Sequence, residues 1–130
     1  MVLVDTSVWI DYFNGRPTPT TDLLDRLLGE ELLLTGDLIL VEVLQGFQSD
    51  ADYRRARRLF ERLEFRPLVG REVALRAARN YRLLRRRGVT PRKTIDVLIA
   101  GFCLQYDHRL LHADRDFDPM EEHLGLRVVR

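Results

Sequence analysis

At 130 residues, with 45% apolar and 32% charged side chains and a net charge of +1, the chain is long enough to bury one hydrophobic core and has the balance of an ordinary soluble domain. No stretch approaches the ~18 uninterrupted apolar residues of a membrane span, and no basic region near the start leads into a long apolar run. Cys103 is the only cysteine; that excludes an intrachain disulfide and fits a small buried hydrophobe in a reducing cytoplasm. The expectation is a single domain over residues 1–130, cytoplasmic and without a membrane anchor.

Val2 to Val4 is a short apolar run suited to a buried parallel strand. Val8 to Phe13 reads as a short helical turn ended by Asn14-Gly15. Thr18 to Leu28 reads as a helix, with Thr20 or Thr21 as its cap, Leu23, Leu24, Leu27 and Leu28 as its apolar stripe, and Gly29 as its stop. Leu32 to Leu34 is a second strand, and Leu38 to Phe47 a helix that is apolar nearly all round. Ala51 to Leu63 is strongly amphipathic, with Tyr53, Ala56, Leu59, Phe60 and Leu63 on one face and arginines on the other. Phe65 to Val69 reads as a third strand, at an edge because of Pro67. Glu72 to Arg87 is a helix closed by Gly88, and the polar loop VTPRKT leads into the apolar helix Ile95 to Tyr106. Arg109 to Leu111 is a fourth strand, followed by the acidic turn HADRDFD, a helical turn over Pro119 to His123 and a last strand over Leu126 to Val129. Strands alternating with helices argue an α/β fold with a mainly parallel central sheet and helices on both faces.

The charge is lopsided. Arg54 to Lys93 holds 15 basic and 3 acidic residues, whereas the rest of the chain holds 6 basic and 17 acidic. Of the 21 basic residues 20 are arginine, the side chain that forks onto phosphate. Solvated helix faces and a nucleic-acid footprint both account for that composition.

Five acids stand out. In open α/β sheets, sites form beyond the carboxyl ends of the strands. Asp5 follows the first strand, and Asp114 and Asp116 follow the fourth. Glu42 is the only charge in LILVEVLQGF, and Asp96 sits near the start of TIDVLIAGFCL, with Thr94 as its cap. Taken singly, Asp5 fits a helix cap, Asp96 a first-turn acid favoured by the helix dipole, and Asp114 and Asp116 turn residues. Glu42 has the weakest ordinary explanation, because an unpaired buried carboxylate is costly. Gathered at one sheet edge, such carboxylates would repel one another and raise each other's pKa. A divalent cation removes that problem. Hard oxygen donors without clustered His or Cys point to Mg²⁺ or Mn²⁺ and away from zinc.

In order and context, Asp5 in VDTSVWID, Glu42 in VEVLQG, Asp96 in TIDVLIA and Asp114 in LLHADRDF resemble the acidic quartet of PIN domains. The VDTSVWID opening and the D-x-D-F ending look specifically like VapC-type toxins of bacterial toxin–antitoxin pairs. The resemblance covers nearly the whole chain. It implies a three-layer α/β/α fold, Mg²⁺- or Mn²⁺-dependent endoribonuclease activity, a homodimer, and inhibition by a VapB-type antitoxin. It implies Asp5, Glu42, Asp96 and Asp114 as the catalytic acids; we assign Asp5 and Asp96 as direct metal ligands. Thr6, Ser7 and Asp116 are supporting residues in that reading. Arg85, Arg86, Arg87, Arg92 and Lys93, close in sequence to Asp96, are the candidates for tracking RNA phosphates. His112 is open to two readings, a proton shuttle or a strand-end histidine without a role. Trp9, Tyr12 and Phe13 fit either an antitoxin groove or the core. Gly101 stands where the pattern often has alanine.

Three other functions are compatible with an acid after a strand. A receiver-like phosphoacceptor would need a lysine near the last strand, and the only lysine is Lys93, before a helix. A haloacid-dehalogenase-type phosphatase would need an acid where Ser7 stands. A PIN-fold binding module without catalysis would have no need for the complete acid set.

Overall fold

The computed structural model describes residues 1–130. Four short strands make the central sheet: Val2–Val4 (β1), Leu33–Gly36 (β2), Glu64–Arg66 (β3) and Arg109–Leu111 (β4). Their order is β3-β2-β1-β4 and every pairing is parallel. β1 lies between two neighbours, pairing Val2 and Leu3 with Leu33 and Leu34 on one side and Val2, Leu3 and Val4 with Arg109, Leu110 and Leu111 on the other. Strands covered on both faces read as continuous apolar runs rather than alternating ones. VLV obeys this, with all three side chains fully buried.

Seven helices complete the three-layer α/β/α arrangement: Thr6–Phe13 (α1), Pro19–Glu30 (α2), Asp37–Leu44 (α3), Asp50–Glu61 (α4), Gly70–Arg86 (α5), Thr94–Tyr106 (α6) and Asp118–Leu124 (α7). By contact they fall into two groups. α1 packs on α2 and α3, and α3 on α4; α5 packs on α6 and α7. The core draws on both groups and the sheet, with Trp9, Leu24, Ile39, Leu84, Ile99 and Phe117 among its fully buried side chains. No helix is long and apolar enough to cross a membrane.

Several boundaries differ from the sequence expectations, each for a local reason. α2 is capped by Thr18, not by Thr20 or Thr21. The Thr18 hydroxyl accepts from the Thr21 N–H at 3.0 Å, and the Thr21 hydroxyl in turn accepts from the Thr18 N–H at 2.9 Å. Gly29 does not stop the helix, which runs on to Glu30. β2 begins at Leu33, because Leu32 points out of the fold at 53% exposure, and it extends to Gly36. α3 stops at Leu44 rather than Phe47. β3 is Glu64–Arg66, ahead of Pro67, whose ring offers no N–H to a ladder. Thr94 lies inside α6; Lys93 holds the cap position and makes no capping bond. The last expected strand contributes only one parallel bridge, Val128 to Leu110.

α3 also departs from the expectation of a nearly enclosed helix. Only Ile39 and Val43 are buried, and Val41 is 61% exposed. Its apolar sequence therefore builds a surface as well as a core face.

Candidate functional site

β1 carries the chain straight to Asp5. The Asp5 N–H donates to the Leu111 carbonyl of β4 at 2.9 Å, which fixes the backbone at the carboxyl end of the sheet. There Asp5 caps α1: its Oδ2 accepts from the Ser7 N–H at 3.0 Å and from the Ser7 hydroxyl at 2.5 Å. Ser7 Oγ in turn accepts from the Ala113 N–H at 3.0 Å, tying this corner to the loop after β4. Thr6 Oγ1 donates to Glu42 Oε1 at 2.8 Å, and Glu42 is half-buried rather than enclosed. So the residues following β1 hold two acids, one from their own turn and one from α3.

α6 brings Asp96 near enough for the Asp5 charge to act on it, although Asp5 and Glu42 lie outside the closest group of carboxylates. Asp96 is 5% exposed and its Oδ2 has no hydrogen-bond partner. The loop after β4 adds Asp114 and Asp116. One carboxylate oxygen each from Asp96, Asp114 and Asp116 lie within 4.8 Å of one another. Asp114 caps the short 3-10 turn Arg115–Phe117, accepting from the Asp116 N–H at 2.9 Å. Its own N–H donates to His112 Nδ1 at 3.2 Å, which leaves the proton of a neutral His112 ring on Nε2.

Two cations face these acids. The Lys93 ammonium lies 3.2 Å from Asp114 Oδ2 and 3.5 Å from Asp96 Oδ2, the latter without hydrogen-bond geometry. The Arg92 guanidinium forks onto both oxygens of Asp116 at 3.1–3.3 Å. Sequence proximity grouped both with the phosphate candidates; in the structure they are tied to acids. Arg85, Arg86 and Arg87 sit apart from them, exposed at the end of α5, with Arg85 5.9 Å over the Tyr81 ring and Arg87 near His123.

The electrostatics follow from this geometry. Burial pushes the Asp96 carboxyl up to about 6; Lys93 pulls it back, while Asp5 and Asp114 push it further. Burial also raises Asp5 above the usual carboxylate range, against the bonds from Ser7. Asp114 moves the other way: burial is outweighed by the Asp116 N–H and by Lys93, and its pKa falls. Burial lowers Lys93, but Asp114 and Asp96 outweigh it and hold the ammonium above its ordinary value. The corner is thus a set of oxygen donors, two of which the fold disfavours in their charged form.

The aromatic residues divide. Trp9 is fully buried, packed edge-on against Phe60 and stacked on Phe13, so it belongs to the core. Tyr12 and Phe13 are half-buried and line a surface cavity of about 650 Å³ with Arg55, Arg58, Leu59 and Arg62. This concavity is distinct from the acidic corner. The ties of Arg92 and Lys93 to the acids had no sequence signal beyond nearness to Asp96. Asp37, an acid without any sequence flag, has a structural task, accepting from the Leu68 N–H at 3.0 Å.

Comparison with known proteins agrees with this architecture. The PIN domain family model matches residues 2–122. The chain is 35% identical over 134 aligned residues to VapC ribonuclease Mb1587 of Mycobacterium bovis and to ribonuclease VapC11 of Mycobacterium tuberculosis, covering 99% of this chain and 98% of each relative. In fold it is similar to the crystal structure of VapBC2 from Rickettsia felis bound to a promoter DNA fragment, with a TM-score of 0.76 and 16% identity over 99% of this chain and 98% of that one. It is similar also to VapBC-1 from nontypeable Haemophilus influenzae, with a TM-score of 0.74 and 21% identity over 99% and 97%. With its family model spanning most of the sequence and relatives more than 30% identical from end to end, the chain belongs to the PIN domain family.

Proposed function

We propose that this protein is a divalent-metal-dependent endoribonuclease, acting as the toxin of a VapBC-type toxin–antitoxin pair in the cytoplasm. The observation that carries the reading is Asp96: a buried carboxylate with an unpartnered oxygen, facing other acids at the carboxyl end of a parallel sheet. A buried carboxylate oxygen without a hydrogen bond is costly even beside a cation, so a fold that keeps one has a use for it. The names of the relatives, VapC ribonucleases, support RNA as the substrate.

The residues fit a hard divalent cation. The donors are all carboxylate oxygens, three of them close enough to share one ion, and a basic side chain already faces two of them. Asp5 and Asp96 are the ligands in this reading, and Glu42 and Asp114 complete the anionic pocket, with Asp116 beside them. The sequence resemblance named Asp5 and Asp96 for the ion; the close trio of Asp96, Asp114 and Asp116 favours a share for the loop after β4 as well. When bound, Mg²⁺ or Mn²⁺ supplies Lewis acidity toward water and the phosphodiester. Thr6 and Ser7 orient Glu42 and Asp5, so that these carboxylates keep one rotamer. Arg85, Arg86 and Arg87 offer exposed positive charge to the RNA backbone.

Two apolar surfaces support protein partners, a second copy and a VapB-type antitoxin. One is the α3 face, where Leu40, Val41 and Leu44 meet Tyr53, Leu63 and Phe65 around a cavity of about 480 Å³. The other is the Tyr12–Phe13 cavity with its three arginines.

Incubation of purified protein with end-labelled RNA tests the reading. Internal cleavage is expected with Mg²⁺ or Mn²⁺, abolished by EDTA and reduced by orders of magnitude in Asp96→Asn. Cleavage that survives both EDTA and Asp96→Asn contradicts it. Expression alone is expected to arrest growth, and co-expression of the antitoxin to restore it.

A further inference from the structure

Lys93 breaks two rules of helix physics at once. It occupies the N-cap of α6, where Ser, Thr, Asp or Asn would satisfy a free N–H, and it makes no capping bond. It also sets a positive charge against the positive end of the helix dipole. A residue that breaks local rules is commonly held by a functional demand elsewhere. Here the demand is visible: the ammonium lies 3.2 Å from Asp114 and 3.5 Å from Asp96, the two acids closest to it.

The choice of lysine carries further information. Every other basic residue in the chain is arginine. Arginine grips a carboxylate with a planar fork, as neighbouring Arg92 does on Asp116 with three contacts of 3.1–3.3 Å. Lysine is a compact point charge on a flexible stem, closer in kind to a metal ion and easier to displace. The Lys93 side chain is 50% exposed, whereas that of Asp96 is 7% exposed. The cation can therefore swing into water while the acid stays where it is.

We propose that Lys93 is a tethered counter-cation that occupies the acidic corner between Asp96 and Asp114 and competes with the divalent metal for these carboxylates, setting the metal affinity of the site. This rests on the metal-site reading above. Without metal, the ammonium offsets part of the repulsion among Asp5, Asp96 and Asp114. With metal, the carboxylates exchange one cation for another, and the half-exposed ammonium is released toward solvent. Lys93 is a positioning residue in this account, acting through Asp96 and Asp114.

The sign of one substitution separates this from an ordinary helix-end lysine. If Lys93 is only a surface cation at an unfavourable position, Lys93→Gln relieves the dipole and raises the melting temperature in EDTA, leaving metal affinity alone. If it is the counter-cation, Lys93→Gln uncovers the acids, so the protein melts several degrees lower in EDTA and binds Mn²⁺ about tenfold more tightly by calorimetry. Lys93→Arg, which keeps the charge but grips carboxylates with a fork that is harder to displace, binds Mn²⁺ no more tightly than the wild type. A wild type that binds Mn²⁺ with an affinity Lys93→Gln leaves unchanged or weakens overturns this inference alone. A wild type that binds no Mn²⁺ overturns the metal-site reading and this inference with it.

Discussion

Asp96 shows how much of the chemistry is decided at a single residue. Its carboxyl stands at about 6 because burial, then Asp5 and Asp114, disfavour its charge more than Lys93 favours it. A raised folded-state pKa means that the folded protein binds the proton more tightly than the unfolded chain between about pH 4 and 6. Metal-free stability should therefore rise as pH falls from 7 toward 4.5, by roughly 2 kcal/mol from this residue. Below that window the lowered pKa of Asp114 takes over, and stability is lost as its carboxylate protonates. Urea melts in EDTA at pH 7 and 5 of the wild type and of Asp96→Asn check this; the wild type should gain more than the variant on going from pH 7 to 5, and an equal change in both contradicts it. Cys103 is the converse case, a buried residue without a task. Burial pushes its thiol up to about 12, so native protein should resist thiol reagents at pH 8 until denaturant is added. That reading was legible from a lone cysteine in an apolar helix. Glu42 was half legible: its isolation in LILVEVLQG marked it, but hydropathy could not reveal that α3 leaves one flank open to solvent.

At the scale of elements, two glycines test the packing with opposite signs. Gly101 lies within α6, and a Cβ there would meet Val73 and Ala77 of α5 at 3.6–3.7 Å, an ordinary contact. Gly101→Ala should stabilise by about 0.5–1 kcal/mol, the helix-interior preference of alanine. Gly36 ends β2, and a Cβ there would lie 2.6 Å from the Arg66 carbonyl oxygen and clash with the Leu68 side chain. Gly36→Ala should cost about 1–3 kcal/mol. Melting curves of the two variants are the check, and equal shifts would mean the contact between β2 and the Arg66–Leu68 segment is misplaced. Elements with strong periodicity or continuous apolar runs, such as α4, α6, β1 and β4, were readable in place. Ends were not, because they turn on single bonds: the Thr18–Thr21 exchange that starts α2, and the Pro67 ring that confines β3 to Glu64–Arg66. The final strand was overestimated because Leu126 to Val129 has strand-like residues but makes only one bridge to β4.

The site's acids stand at one end of the sheet, and many of the arginines lie along α4 and α5. If α5 guides RNA, Arg86→Ala should weaken RNA binding and flatten the log–log salt dependence by about 0.7, one single-strand phosphate contact. An unchanged slope would make the arginines a solvated face. The acids could be singled out in the sequence because each stands at a strand end or in an apolar helix, but the close approach of Asp96 to Asp114 and Asp116 and the countercharges of Arg92 and Lys93 could not, because they depend on how α6 and the loop after β4 meet.

The most direct test of the metal-site account is a set of melting curves in EDTA and in Mn²⁺ for Asp5→Asn, Asp96→Asn and Asp114→Asn. Asparagine caps a helix about as well as aspartate, so Asp5→Asn removes charge while keeping the α1 cap. In EDTA the account predicts that Asp5→Asn and Asp96→Asn melt at or above the wild type, because the fold disfavours those charges, and that Asp114→Asn melts below it, because Lys93 and the Asp116 N–H favour that one. Mn²⁺ should raise the wild-type melting temperature by mass action and that of Asp5→Asn and Asp96→Asn far less. Asp5→Asn and Asp96→Asn variants that melt well below the wild type in EDTA yet gain as much from Mn²⁺ as it does would contradict the account.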